Sequence, residues 1–242
     1  MKRAKLIVIE GTDGSGKETQ SKKLEEYYLE KGLKVKRYSF PIYSSPTGRM
    51  VGGPYLGKSE YGETYFPETS AGVDPLVSSL YYAADRRYNF LKYIEEEMYT
   101  QDIIILDRYI TSNMGHQAGK AKTDADREKI LHFIEVLEYE LCELPYPDKV
   151  IFLHMPFEAA RELRRDRASG DGNENSEEHL RNAERTYVYI AQKYGWDYIN
   201  CIKGDLFQSL DDIKSIDEIS GEVIKACEEE MTLKKIGKMS RF

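Results

Sequence analysis

The chain has 242 residues, 40% of them hydrophobic, a net charge of −7 and three cysteines. That length and apolar content suffice for a buried core without staples, and the acidic balance argues against a nucleic-acid coat protein, because phosphate backbones attract basic surfaces. Cys142, Cys201 and Cys227 are too scattered for a disulfide framework or a zinc pattern, which fits a reducing cytoplasm; the N-terminal apolar run is too short for a signal peptide, and no segment approaches the ~20 apolar residues of a membrane-spanning helix.

The first element is a β-rich run, Leu6 to Ile9. It leads into Gly11-Thr12-Asp13-Gly14-Ser15-Gly16-Lys17-Glu18-Thr19 and then a helix to about Gly32. Gly-x-x-x-x-Gly-Lys between a strand and a helix is a P-loop, not the Gly-x-Gly-x-x-Gly of dinucleotide sites. Its glycines let successive amide N–H groups point at phosphate oxygens, the helix N-terminus adds partial positive charge, and Lys17 neutralises the β/γ-phosphates of ATP. The residue after the lysine, usually a Ser or Thr that holds magnesium, is Glu18, and a hydroxyl follows only at Thr19. The metal ligand therefore stays open: Thr19 can simply cap and pack, with Asp13 or waters holding Mg2+ instead.

A second strand, Val35 to Phe40, is followed by Pro41 to Thr69, whose Gly, Pro, Ser and Tyr content predicts a mobile loop. A helix beginning after Pro75 is expected to turn Leu76, Leu80, Ala83, Leu91 and Ile94 inward. The third strand, Ile103 to Leu106, ends in Asp107-Arg108-Tyr109. Carboxyl ends of parallel strands face the ligand crevice, so Asp107 and Arg108 should emerge beside the P-loop. Asp107 reads equally well as half of a structural ion pair, whereas the fork of donors on Arg108 suits a phosphate lying between two nucleotides.

Ile130, Phe133, Ile134, Leu137 and Leu141 form the stripe of a further helix that ends before Pro145, and Val150 to Leu153 is the fourth strand. Arg161, Arg164, Arg165 and Arg167 then approach the polar stretch Ala168 to Asn175, a second candidate mobile loop, so that a lid is expected at about 164–176. Asp197 to Ile199 is the fifth strand, and the last helix opens on a Ser215/Glu218 capping box with Ile216, Ile219, Val223 and Ile224 inward. Strands alternating with helices predict an α/β fold, a parallel five-stranded sheet flanked by helices in the three-layer P-loop NTPase arrangement. Without repeats or low-complexity linkers, residues 1–242 read as a single domain.

Over nearly its whole length the sequence resembles the thymidylate kinases, which are P-loop nucleoside monophosphate kinases. The resemblance is carried by the P-loop, by Phe40-Pro41-Ile42-Tyr43 with Ser45-Pro46-Thr47-Gly48, by Ala84-Asp85-Arg86, by Asp107-Arg108-Tyr109 and by Ser112-Asn113. In that family the Gly-Lys-x-Thr form of the P-loop is ordinary. The resemblance implies transfer of the γ-phosphoryl group of ATP to dTMP with Mg2+, in a cytoplasmic homodimer packed through helices. It implies that Tyr82 stacks on thymine, Arg86 donates to a base carbonyl, Asn113 meets the pyrimidine edge, and Phe40 and Tyr43 wall the pocket. Arg108 would grip the acceptor phosphate, Asp13 approach the sugar 3′-hydroxyl and Tyr187 lie beside the sugar. Relatives without an arginine inside the P-loop take one from the lid, for which Arg165 and Arg167 are the candidates.

Two positions depart from the family pattern: His116 where many relatives carry a Tyr that discourages a ribose, and His154 where Asp is common. None of the four histidines has metal-ligand spacing. Tyr82 and Tyr187, taken alone among 19 tyrosines, read as core residues. Rival readings are a kinase for another nucleoside monophosphate or a deoxynucleoside, and a nucleotide-binding module that transfers nothing.

Overall fold

Each of the five β-rich runs forms a strand in the computed structural model, which describes residues 3–164 and 176–228. In chain order, β1 (Lys5–Gly11) leads to α1 (Lys17–Glu30) and β2 (Val35–Ser39). An excursion follows, with α2 (Pro46–Met50), a π-turn at Val51–Tyr55 and α3 (Thr69–Gly72), and then α4 (Pro75–Asn89). Next come β3 (Ile103–Asp107), α5 (Ile110–Ala118), α6 (Asp124–Glu135), β4 (Lys149–His154), α7 (Phe157–Arg164), α8 (Glu177–Tyr194), β5 (Asp197–Asn200) and α9 (Ile216–Glu228).

The pairings among these five strands are parallel and the order is β2-β3-β1-β4-β5. Ile9 lies opposite Asp107 and Gly11 opposite Leu153, so the P-loop leaves the sheet level with the ends of both neighbouring strands. Alternation along the strands sorts the core into two layers. Leu6, Val8, Ile104, Leu106 and Phe152 face one way, with residues of α5, α6 and α8, whereas Ile7, Ile9, Ile105, Ile151 and Leu153 face α1 and α9. The Ser215/Glu218 capping box forms reciprocally at the start of α9, and Ile219 and Val223 pack inward, but Ile216 is exposed.

The helix faces differ from the sequence expectation. On α4, Leu76 and Leu80 point outward, as does Leu91 in the π-turn Phe90–Ile94, while Ser79, Asp85, Arg86 and Asn89 are buried. The inner face of this helix is polar, with Asp85 hydrogen-bonded to Asn89 and to the segment after β2. The stripe from Ile130 onward holds through Ile134 and then breaks, since α6 passes into a π-turn at Val136–Leu141 closed by Cys142 N–H to Leu137 O at 2.9 Å. The wider turn carries Leu141 out to 74% exposure and brings Glu138 fully inside.

Residues 41–69, expected to be a mobile loop, instead form a packed lobe. Val51, Tyr55, Leu56 and Val73 make a small core of their own, covered by Tyr43, Phe66, Tyr81 and Tyr82. Lys120, just after α5, clasps the lobe by donating to the carbonyls of Ser70 (2.9 Å) and Val73 (2.8 Å) and to Ser78 Oγ (3.1 Å).

Candidate functional site

The P-loop is shaped by glycines where no other residue fits. Gly14 and Gly16 have φ of 86° and 81°, and a Cβ on Gly11 would lie 2.4 Å from Ser15 Oγ and 2.6 Å from Leu153 O. No side chain caps α1, so its first-turn N–H groups face an open space that suits an anion; a Cβ on Gly16 would meet nothing within 4 Å. Thr12 fastens the loop to the end of β4: its hydroxyl donates to Met155 O (2.7 Å) and accepts from Met155 N–H (2.9 Å). Glu18 and Thr19 lie on the exposed face of α1, where Glu18 pairs with Lys22 at 2.6 Å.

Three charged groups meet at the mouth of the loop. Lys17, buried, donates from Nζ to the carbonyls of Gly11 (3.0 Å) and Thr12 (2.9 Å) and lies 3.9 Å from Asp13. Arg108 Nη2 donates to Asp13 Oδ1 at 2.7 Å. Burial pushes Lys17 down to about 8, aided by Arg108 and opposed by Asp13. Burial alone would raise the Asp13 carboxyl, but Arg108 and Lys17 outweigh it and hold that carboxyl well below the usual carboxylate range. Arg108 has a left-handed backbone, φ 68°, a costly conformation for a non-glycine residue that aims its side chain across the strand ends toward the P-loop. Asp107 is buried at the same edge and accepts from Ser39 Oγ at 3.4 Å.

On the acceptor side, Asp85 of α4 holds the segment after β2. Its carboxylate accepts from Ile42 N–H (3.1 Å), Ser45 (3.3 Å), Thr47 (3.1 Å) and Asn89 (2.7 Å). Gly48 completes that turn, since a Cβ there would sit 1.9 Å from Ile42 O. Phe40 is buried in the main core with its ring 6.3 Å from Tyr109, and Tyr43 stacks on Tyr61 at 5.2 Å. Tyr82 packs edge-on to Tyr55, and the Arg86 guanidinium lies 5.9 Å from the Tyr82 ring centre. Arg86 forms a buried two-pronged ion pair with Glu138, and Asn113 donates to the same carboxylate at 2.9 Å.

Tyr187 is wholly buried rather than lining an open surface. It stacks on Phe152 (5.5 Å), meets His116 edge-on (5.6 Å) and donates to Glu10 at 3.2 Å. A small cavity of about 10 Å³ joins Asp13 and Thr12 to His116, Tyr187 and Glu184. Glu10 also accepts from Thr111 (2.8 Å) and Ser112 (2.8 Å). Burial pushes His116 down to about 3, so its ring is neutral. His154 is held between Glu184 (2.7 Å) and Tyr198 (2.5 Å).

The structure thus gathers Asp13, Lys17 and Arg108 at one point and Tyr82, Arg86 and Asn113 at another. Arg165 and Arg167 lie outside the described residues. Sequence reasoning passed over Glu10, Asp85 and Glu138 as site residues, and also the tie from Thr12 to Met155. Glu10 and Asp85 left a signal, a carboxylate inside or flanking a quoted motif; Glu138 left none, because a 3.6-residue period sets it at the flank of the apolar stripe, where a carboxylate reads as solvated.

Among the described residues no group of three His, Cys, Asp or Glu is arranged to hold a metal ion. With Asp13 the carboxylate at the loop and the Glu10 oxygens taken by hydroxyls, the donor set fits a magnesium ion bound through one carboxylate, phosphate oxygens and water.

The family model for thymidylate kinases matches residues 9–204. Among similar proteins, the thymidylate kinase of Mycobacterium tuberculosis (strain H37Rv) is 30% identical over 201 residues, covering 79% of this chain and 87% of its own. That of Prochlorococcus marinus (strain NATL2A) is 27% identical over 223 residues, 92% of this chain and 97% of its own. The solved structure of the Candida albicans thymidylate kinase superposes with a TM-score of 0.65 at 23% identity, covering 93% of this chain and 92% of that one. The matched span takes in the P-loop, Arg108 and the entire acceptor side, and at that breadth the chain belongs to the thymidylate kinase family.

Proposed function

We propose that this chain transfers the γ-phosphoryl group of ATP to dTMP, giving dTDP and ADP. The observation that carries the reading is the meeting of Lys17, Asp13 and Arg108 between the P-loop and the acceptor side, which gives two phosphates one shared cationic boundary. Phosphoryl transfer needs little covalent chemistry from a protein, only an in-line approach and compensated charge. Residues 11–19 cradle the ATP phosphates. Lys17 neutralises the β/γ-oxygens, and Arg108 orients the acceptor phosphate. Asp13 faces the sugar 3′-hydroxyl and, with water, holds Mg2+, whose charge offsets that on the phosphates.

Thymine stacks on Tyr82 with Arg86 and Asn113 at its edge, while Phe40 and Tyr43 support the wall and Tyr187 backs His116 beside the sugar. Arg165 or Arg167, carried on a lid at about 164–176, completes the charge on the transferring group, and closure excludes water. The exposed apolar face of α4 supports a homodimer, and the three unpaired cysteines support a cytoplasmic setting.

ADP formation measured with a panel of nucleoside monophosphates tests the function. The expected order is dTMP, then dUMP lower by the about 1–3 kcal/mol that a missing methyl costs, with dCMP and purines poor. A purine nucleotide or dCMP outrunning dTMP would remove the acceptor assignment, and ADP release indifferent to any acceptor would leave only nucleotide binding.

A further inference from the structure

Glu138 is the most enclosed carboxylate on the acceptor side, and nothing in the phosphoryl-transfer chemistry uses it. It lies in the π-turn after α6, has no exposed surface, and receives Arg86 through Nε and, at 2.6 Å, Nη2. Its Oε1 also accepts from Asn113 Nδ2 at 2.9 Å. The second contact of that nitrogen is the Ser79 carbonyl at 3.3 Å, again an acceptor. Two acceptors on one side of the amide fix its sense: Nδ2 must face them, and Oδ1 must face the other way. Asn113 is 2% exposed and its Oδ1 has no hydrogen-bond partner among the described residues. A buried unmatched acceptor of that kind is costly unless a ligand supplies the donor.

Arg86 is constrained in the same way. Of its five N–H groups, Glu138 takes two and the Tyr109 carbonyl a third at 3.4 Å. The remaining donors, on a guanidinium 5.9 Å from the Tyr82 ring centre, and the Asn113 acceptor are thus ordered by one shared anchor, Glu138. Thymine presents the matching pair, a carbonyl at C4 and a donor N–H at N3. Cytosine presents the inverse, an amino group and an unprotonated N3.

Resting on the thymidylate reading above, we propose that Glu138 is the positioning residue that sets acceptor-base specificity, by holding Asn113 with its carbonyl oxygen toward the base N3–H and Arg86 with its free donors toward O4. Removing its charge weakens both constraints. A glutamine at this position can donate to Asn113 Oδ1, which leaves only the 3.3 Å contact with the Ser79 carbonyl to hold the original sense, so the amide can turn over and offer Nδ2 to the base, the sense that cytosine N3 accepts.

The test is kcat/KM for dTMP, dUMP and dCMP on the purified full chain and on Glu138→Gln. The ratio of dTMP to dCMP is expected to fall at least about tenfold in the variant, chiefly through KM for dTMP, with dUMP following dTMP. A purely structural role for Glu138 would lower all three acceptors together through the folded fraction and leave the ratio unmoved, which overturns the proposal. Should Glu138→Gln not fold, the wild-type chain decides through NMR of bound [3-15N]dTMP. An N3 imino proton protected from solvent exchange is expected, and one that exchanges freely overturns the assignment. A wild-type chain that ignores dTMP defeats the underlying function first, so the two failures are distinguishable.

Discussion

At Lys17 the charge is insecure. Burial, with Arg108 nearby, pushes it down to about 8, whereas the carboxylates around it pull the other way and lose. The charged ammonium is the form that meets phosphate, so ATP capture depends on a proton that is lost as pH rises through that value. Since kcat/KM reports the free enzyme, kcat/KM for ATP is expected to be level below pH 8 and to fall about tenfold per unit above it. A profile still flat at about pH 9.5 would mean that Lys17 keeps its proton in the free protein. His116 behaves oppositely. Held down at about 3, it carries no charge near neutrality, so it adds no pH dependence to acceptor handling between about pH 5 and 7. Arg108 is legible in the sequence as a cation after a buried strand, but its left-handed backbone is not. Its N–H meanwhile donates to Ile9 O at 3.1 Å across to β1, a pairing of residues 99 positions apart.

Helix α4 shows why elements are read more easily than their faces. The strands stand out in sequence because parallel strands buried on both sides are continuous apolar runs, and Ile103-Ile104-Ile105-Leu106 can be little else. On α4 the same logic misleads. Its inner face is built from Asp85, Arg86, Asn89 and two serines, while Leu76, Val77, Leu80 and, two residues past its end, Leu91 stand at 38–50% exposure. A stripe of that kind on an otherwise solvated helix suits an isologous contact between two copies. Leu80→Glu is therefore expected to convert a dimer to a monomer in sedimentation velocity, with two buried charges opposing each other across the contact. A variant that sediments as the parent does would move the interface elsewhere. The π-turns at Phe90–Ile94 and Val136–Leu141 were likewise invisible to a 3.6-residue period, and the second one sets Glu138 inside.

At the scale of the molecule, the proposed reaction joins the P-loop to the candidate lid arginines. Replacing Arg165 and Arg167 together by Ala should lower kcat by about 10²–10³ while KM for dTMP moves little, because such charges act on the transferring phosphoryl group rather than on the bound acceptor. Equal losses in kcat/KM and in acceptor affinity would assign them to binding. The cradle itself was spelled out in nine consecutive residues, whereas its fastening was not: Thr12 and Met155 are 143 positions apart. The sheet order has a further consequence, for the order in which the protein can be made. β1 is synthesised first, yet its partners are β3 and β4, so Ile7 must wait for Ile105 and Ile9 for Ile151. Until β4 has emerged, β1 keeps one open edge ahead of an unfastened P-loop, exposed to chaperones and to aggregation. Nucleotide capture is expected only after Met155 has been added and Thr12 has found it, so ATP binding reports that β4 has joined the sheet.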